Sequence, residues 1–501
     1  MSTITSANVD ASVSKPVKKC VKKKSPSVKK SSGDSNSDAQ LDKNADIKTI
    51  DPCIYQILQK IKINQQFKVT SIEFPKDKNY MLINAHYSCN PERYFNCQPN
   101  SKNWIHAEQY DDDIDSDVTR RLKKIDELKK IKVPEQRTAD WFKQRDGMIT
   151  ASDGGTTIGV NHIEPQYNAV IKKLIKIPFT GGKACHHGKK YEHIATMIYS
   201  YRMNVTMHEY GLVEHPVHKF LGASPDGIID PYKFDGIHKT KLAGRMLEIK
   251  CPETRKINMV SSDVLDVCPI HYHAQVQLQL ECCDLDECDF WQCEISEYEN
   301  RESFMNDTDE EEPFRSKTTG FEKGCLILLV PRVSLMSGKD LQNIIYDDAK
   351  FLYQPKIEMT PCECDQWISE QMSTFYKKEE LKDCVVLKTI YWKLNKSRCF
   401  TIKRDRSWFL EMLPIFEKTW QQITFLRKNE KQKNILLEYV EYIESTYKKN
   451  DLGAVDKVLK AIEILCNKND DRYEKKVGKL TAEIKEHMSN SANDFPGWTA
   501  C

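Results

Sequence analysis

No two of the 18 cysteines have the CxxC spacing; the tightest pairs are Cys282-Cys283 and Cys362-Glu363-Cys364. That argues against a zinc ribbon and most iron–sulfur arrangements, which need paired thiolates at short, regular intervals. A zinc site built from Cys282, Cys283, Cys288 and Cys293 stays open beside the plainer reading of buried free thiols. A run of about 18 apolar residues is also missing, so no membrane span is expected. The opening MSTITSANVDASVSKPVKK has no apolar stretch of the secretion-signal kind. Reduced thiols in a cytoplasm-like compartment follow as the expectation. An excess of one charge is lacking too: 75 Lys and Arg stand against 73 Asp and Glu, a net +2. That excludes a uniformly basic coat, but partners feel local fields rather than the sum. With 40% hydrophobic residues in 501, the chain can build real cores.

Four regions are expected. Residues 1–50 are Ser-, Lys- and Asp-rich with few large apolar side chains, which predicts a disordered arm. It holds eight lysines between Lys15 and Lys30. They suit a nuclear-type address or a phosphate-binding arm as well as a solubilising tail. Residues 51–132 read as an α+β accessory module, with strands at FKVTSIEF and NYMLINAHYS and a charged helix at VTRRLKKIDELKKI. Residues 133–428 hold the legible chemistry, interrupted by an acidic surface insertion at 306–320. GCLILLVPRV reads as a buried strand; DCVVLKTIYWKL and RCFTI read as two more. Phe409, Leu413, Phe416, Trp420 and Ile423 mark one stripe of a helix. Residues 429–501 predict a C-terminal helical extension.

The chemistry begins with LGASPDGIID (221–230) and MLEIKCPE (246–253). In a strand, alternate residues share a face, so Glu248 and Lys250 point one way and Leu247 and Ile249 the other. A Glu, a Lys and a rigid Asp226 in the SPDG turn suit metal-assisted phosphodiester hydrolysis. Hard cations take carboxylate oxygens, and the lysine positions water or meets developing charge. Each half has a bland reading: ExK is commonly a solvated ion pair, and Asp-Gly is commonly a hairpin turn. The pairing of both halves is what favours a nuclease.

Three further segments add to it. RTADWFKQRDGMITASD (137–153) brings Trp141, Arg145 and Ser152 ahead of a Gly154-Gly155 turn. Arg145 offers two-pronged phosphate recognition, and Ser152 adds a donor. HGKKYEHIATMIYSYR (187–202) predicts a helix with Glu192, Ala195 and Tyr199 on one face. An inward Glu192 suits a metal; an outward one would pair with Lys189 or Lys190. HYHAQVQLQLECC (271–283) carries Gln275, Gln277 and Gln279, and a helix would put Gln275 and Gln279 together. Their carboxamides could orient water or DNA backbone, or form only a polar helix face.

In this order, WFKQRDGMITAS, HGKKYEHIA, SPDGIID, LEIKCPE and YHAQVQ resemble the lambda-exonuclease, or YqaJ-type viral recombinase, family of the PD-(D/E)xK nuclease superfamily. The resemblance covers about 134–300, with members from large DNA viruses the most similar. It implies an α/β (α+β) nuclease core with a central mixed β-sheet flanked by helices. It implies a Mg²⁺- or Mn²⁺-dependent deoxyribonuclease that digests one strand of duplex DNA from the 5′ end. One or two ions would be held by Glu192, Asp226, Glu248 and the Ile249 carbonyl. Lys250 would be the catalytic lysine, with Gln275 supporting the site. Arg145 and Ser152 would bind a 5′-terminal phosphate, with Trp141 and Gln277 in the DNA-binding set.

The chain also departs from that family. The SPDG turn and the ExK strand are separated by residues 231–245, a hairpin-like extension. The added N- and C-terminal regions put a ring-shaped oligomer in doubt, so a dimer stays open beside a ring. A helicase or strand-annealing protein is a candidate partner, and a membrane is not. The place expected is the host cytoplasm, with virion packaging and a nuclear address as alternatives. Large-virus members are compared with a CRISPR-associated nuclease whose iron–sulfur cluster is cysteine-held; without CxxC, no cluster is expected here. Two other functions compete: a structure-specific or nicking endonuclease, and a catalytically idle DNA-binding or packaging protein on a nuclease scaffold.

Overall fold

The computed structural model describes residues 67–73, 82–87, 116–134, 138–175, 182–448 and 450–493. The expected Lys-rich arm lies outside them. Strands β1 (Phe67–Glu73) and β2 (Leu82–Tyr87) pair antiparallel, as FKVTSIEF and NYMLINAHYS predict.

The remaining strands are β3 (Ile149–Thr150), β4 (Met207–His208), β5 (Val213–Glu214), β6 (Leu221–Ala223), β7 (Gly227–Ile229), β8 (Met246–Lys250), β9 (Glu287–Glu297), β10 (Lys323–Pro331), β11 (Lys350–Tyr353) and β12 (Cys384–Lys403). Seven of them form one sheet in the order β11-β10-β12-β9-β8-β7-β4. The β8–β9 pair is parallel and the others antiparallel, so the sheet is mixed. Strands β3, β6 and β5 form a small second sheet. The two strands expected at 384–400 are a single strand of 20 residues, β12. It stays unbroken because β10 pairs with its first half (Cys384–Lys393) and β9 with its second (Trp392–Lys403), so one ladder takes over where the other ends.

The principal helices are α1 (Ser116–Lys130), α2 (Ala139–Asp146), α3 (Asn168–Leu174), α4 (Lys183–Met203), α5 (Ile270–Cys283), α6 (Arg406–Lys428), α7 (Glu430–Thr446), α8 (Leu452–Cys466) and α9 (Tyr473–Asn493). Helix α4 covers one face of the sheet: Tyr191, Ile194 and Ile198 are buried with Leu247, Ile249 and Trp291. The opposite face buries Met246 and Phe290 with Val276 and Leu280 of α5. Strand β8 thus packs on both faces, the usual fate of a parallel pair. Ile125 and Leu128 of α1 join this second cluster. The boundary expected near residue 132 therefore does not detach α1 from the core; its apolar stripe is spent on the central sheet. Helices α6 to α9 share a third cluster with Ile149, Tyr167 and Leu221.

Two other expectations change. The acidic stretch at 306–320 is tied down rather than a loose excursion. Asp307 accepts hydrogen bonds from Tyr298 Oη at 2.8 Å and Ser316 Oγ at 2.7 Å, and Phe314 is buried. The four cysteines weighed as a zinc site fall into three separate apolar clusters: Cys282 in one, Cys283 and Cys288 in another, Cys293 in a third. They serve as small core residues. Among the described residues no helix is long and apolar enough to cross a membrane.

One buried ion pair fastens α4 to the sheet. Glu322, fully buried just before β10, accepts from Arg202 Nε at 2.9 Å and lies 3.5 Å from Arg315 Nη1. Burial pushes the Glu322 carboxyl up, but Arg202 and Arg315 outweigh it and hold it at about 2. The stabilisation is therefore present above the unfolded value near 4.5 and is lost as pH falls towards 2. Glu322→Gln should cost on the order of 3 kcal/mol at neutral pH, since two guanidinium groups lose their buried counter-charge. Urea unfolding of both proteins at pH 7 and pH 3 should show that deficit shrinking at the lower pH; a constant deficit would mean that packing, not charge, is responsible.

Candidate active site

Glu248 is 1% exposed, on the face of β8 that looks at α5. A carboxylate so placed needs donors for both oxygens. Gln275 Nε2 donates to Oε1 at 2.8 Å, and Gln279 Nε2 donates to Oε2 at 2.7 Å. The two glutamines are one turn apart on α5, so a single helix face presents both amides. The carbonyl oxygen of Gln279 is buried without a hydrogen bond, so this amide is oriented for the carboxylate. Lys250 Nζ also donates to Glu248 Oε1 and lies 4.6 Å from the Tyr272 ring centroid. Burial lowers the Lys250 pKa, but the carboxylates of Glu248 and Asp226 more than reverse this and keep it protonated.

Asp226 ends the short link Ser224-Pro225-Asp226, which takes the chain from β6 in the small sheet to β7 in the large one. Its Oδ2 accepts the Ile249 N–H at 2.7 Å. The β7–β8 ladder reaches only Leu247, so the Ile249 main chain lies past its end. In an extended strand the N–H and C=O of one residue point the same way, so the Ile249 carbonyl is on the Asp226 side as well. Burial, then the Glu248 carboxylate, then that of Glu192 push Asp226 well above the usual carboxylate range, against Lys250 and the Ile249 N–H. Glu192 lies on the α4 face with buried Ala195 and Tyr199 and is itself half-buried.

Does this donor set suit a divalent cation? Among the described residues no three His, Cys, Asp or Glu side chains already surround one point. The set is two carboxylates, Asp226 and Glu248, a neighbouring main-chain carbonyl, and a third carboxylate close enough to raise the first. Three acidic groups with one lysine leave negative charge uncompensated. Mg²⁺ commonly uses one or two protein carboxylates and keeps several waters, so the residues fit it. The described thiols next to the site in sequence, Cys251 and Cys268, are buried in apolar clusters and offer nothing to a softer metal.

Beside this centre lies a group of donors. Arg145 Nη2 donates to Thr150 Oγ1 and to Ser152 Oγ, each at 3.2 Å. The Arg145 guanidinium lies 4.5 Å from the Trp141 ring centroid. Trp141 Nε1 donates to Ser224 Oγ at 3.4 Å, two residues before Asp226, and so links the two places. Gly154 and Gly155 form the first turn of a short helix rather than a loop turn, buried against α5. A Cβ on Gly155 would stand 2.7 Å from the His271 Cβ, which is why glycine is needed for this close approach.

Gln277 belongs elsewhere. It is fully buried, and its amide donates to the Lys403 carbonyl at 2.9 Å and accepts the Asp405 N–H at 2.7 Å. It fixes the start of α6 and does not face the donor group. Sequence reasoning did not single out Lys173. Gln279 was legible from its spacing to Gln275; Lys173 sits in a plain amphipathic stretch with no signal.

Residues 140–286 match the YqaJ-like viral recombinase domain, the family that the motifs of this stretch resemble. An uncharacterized protein of Acanthamoeba polyphaga mimivirus is 38% identical over 346 residues, 68% of this chain and 62% of that relative. The chain thus spans somewhat under two thirds of the relative's length. Two crystal structures of the alkaline exonuclease LHK-Exo from Laribacter hongkongensis, one with dAMP, match at 16% identity and a TM-score of 0.31, covering 60% of this chain and all of theirs.

Crowded carboxylates cost stability when no cation is bound. Asp226→Asn keeps an acceptor for the Ile249 N–H while removing one charge. It should raise Tm by a few degrees in EDTA and lose most of any Tm gain from Mn²⁺. A lower Tm in EDTA would show that the charge is already compensated within the protein.

Proposed function

We propose that the chain is a Mg²⁺- or Mn²⁺-dependent deoxyribonuclease that degrades one strand of duplex DNA from a 5′-phosphorylated end. The observation that carries this reading is the link between the two groups: Trp141 stacks on Arg145 and reaches the turn that holds Asp226. An anion holder one contact from a carboxylate–lysine centre suits an enzyme that grips a chain end and cuts close to it.

Asp226, Glu248 and the Ile249 carbonyl would hold the cation, with Glu192 adding charge from α4. When bound, the cation supplies Lewis acidity and makes water a better nucleophile. Gln275 and Gln279 keep the Glu248 carboxylate in one orientation. Lys250, protonated and fixed by Glu248, positions the attacking water or meets charge developing on the phosphate. Arg145, Thr150 and Ser152 orient the terminal phosphate. The match of residues 140–286 to a viral recombinase domain supports the DNA substrate.

The test is end-labelled linear duplex beside closed circular DNA, with Mg²⁺, Mn²⁺ or EDTA. Linear DNA should be lost from its 5′-labelled strand and circles spared. Nicked circles would replace the exonuclease reading by an endonuclease one; no cutting in any metal would leave a binding protein. Lys250→Ala, Asp226→Ala and Glu248→Gln should each lose about a hundredfold or more in kcat/KM. Parental cutting by Lys250→Ala would refute the mechanism. Arg145→Ala should weaken cutting of 5′-phosphorylated ends more than of 5′-hydroxyl ends.

A further inference from the structure

Lys173 lies on the last turn of α3, and its side chain is only 12% exposed. Its Nζ donates to the Arg145 carbonyl at 2.9 Å and lies 3.3 Å from Asp153 Oδ2. The same Oδ2 accepts from Thr150 Oγ1 at 2.8 Å, and that hydroxyl is the one Arg145 Nη2 touches. The ammonium therefore reaches the Arg145–Thr150–Ser152 group through one carboxylate. It has three N–H donors. Two are directed at these oxygens, and no other acceptor for the third is found among the described residues.

The charges do not balance. Asp153 is the carboxylate nearest Arg145 and Lys173; Asp146 also attracts Lys173 but is engaged by Arg427, whose Nη2 donates to it at 2.7 Å. Burial holds Arg145 and Lys173 below their ordinary values despite the attraction of Asp153. Burial raises the Asp153 carboxyl, but Lys173, Arg145 and Thr150 prevail and hold it ionised. Two desolvated cations with one anion form a pocket that gains from a further anion. The frame is rigid as well: Arg427 of α6 donates to the Lys173 carbonyl at 2.7 Å and to the Asp146 carbonyl at 2.9 Å. Both the ammonium and the backbone of Lys173 are fixed beside Arg145.

We infer that Lys173 is the second cation of the terminal-phosphate pocket and sets the preference for a 5′-phosphate over a 5′-hydroxyl. The inference rests on the DNA-end reading above. A phosphate monoester carries between one and two negative charges near neutral pH and offers three acceptor oxygens. Arg145 can take two of them side by side and Lys173 the third, while Asp153 keeps the ammonium aimed.

The experiment measures kcat and KM on linear duplexes that differ only in a 5′-phosphate or 5′-hydroxyl, for the wild type, Lys173→Met, Lys173→Gln and Lys173→Arg. Thermal melts accompany each, because Lys173 also holds the Arg145 carbonyl. One charge-assisted hydrogen bond is worth roughly tenfold to a hundredfold in binding. Lys173→Met and Lys173→Gln should therefore cut the phosphate-to-hydroxyl ratio of kcat/KM by about tenfold or more, mainly through KM for phosphorylated ends. Lys173→Arg should keep most of the ratio. A wild type that prefers phosphorylated ends, with a Gln variant that folds and keeps this preference, would overturn the role of Lys173 alone. Equal losses on both ends, falling on kcat, would make Lys173 a structural prop and also overturn it. A wild type that does not distinguish the ends would bring down the DNA-end reading itself.

Discussion

The arrangement depends on one buried carboxylate. Taking Glu248 out of water costs several kcal/mol unless its oxygens are met by donors. The molecule meets them with two carboxamides from α5 and an ammonium two residues along the same strand. Charge-assisted hydrogen bonds contribute about 1.5–3 kcal/mol each, enough to offset the desolvation but with little to spare. The helix and the strand must therefore stay in fixed register. Moving α5 by one residue would replace Gln275 and Gln279 by side chains that cannot donate.

That register explains features remote from the carboxylate. The close approach of residues 154–155 to α5 pins the helix from the side of the Arg145–Ser152 group. Gln277, on the other side of the same helix, ties it to the start of α6. Three glutamines at alternate positions thus do two jobs. Two hold the carboxylate, and the one between them holds the frame that keeps the helix from turning.

This division also shows what a sequence can and cannot convey. The strand period put Glu248 and Lys250 on one face, and the helical period put Gln275 and Gln279 on another. Local geometry was legible because both periods are properties of the backbone. That those two faces meet is a tertiary fact, and Gln279 gained its role only from that meeting. Gln277 was misplaced for the same reason: its polarity was visible, and its burial against residues 403–405 was not. The long β12 was divided into two because its middle, KLNKSRC, is polar. In the sheet, pairing with β9 along this stretch holds it extended whatever its propensity. The α1 helix reads as part of a separate module from its dense charge, yet its few apolar residues suffice to bind it to the core.

The near-zero net charge takes on a local meaning from the same geometry. Negative charge gathers where Asp226, Glu248 and Glu192 stand together, and positive charge gathers where Arg145 and Lys173 outnumber Asp153. Opposite excesses linked through Trp141 and Ser224 would orient a phosphodiester chain, drawing an anionic end one way and a cation the other. The basic excess would be smaller still if Asp146, which attracts Lys173, had no cation of its own. Arg427 prevents this by engaging Asp146, and it comes from a helix outside the 140–286 match. The C-terminal helices are therefore more than an appendage. By engaging one competing carboxylate and fixing the Lys173 backbone, α6 would favour an incoming anion beside Arg145.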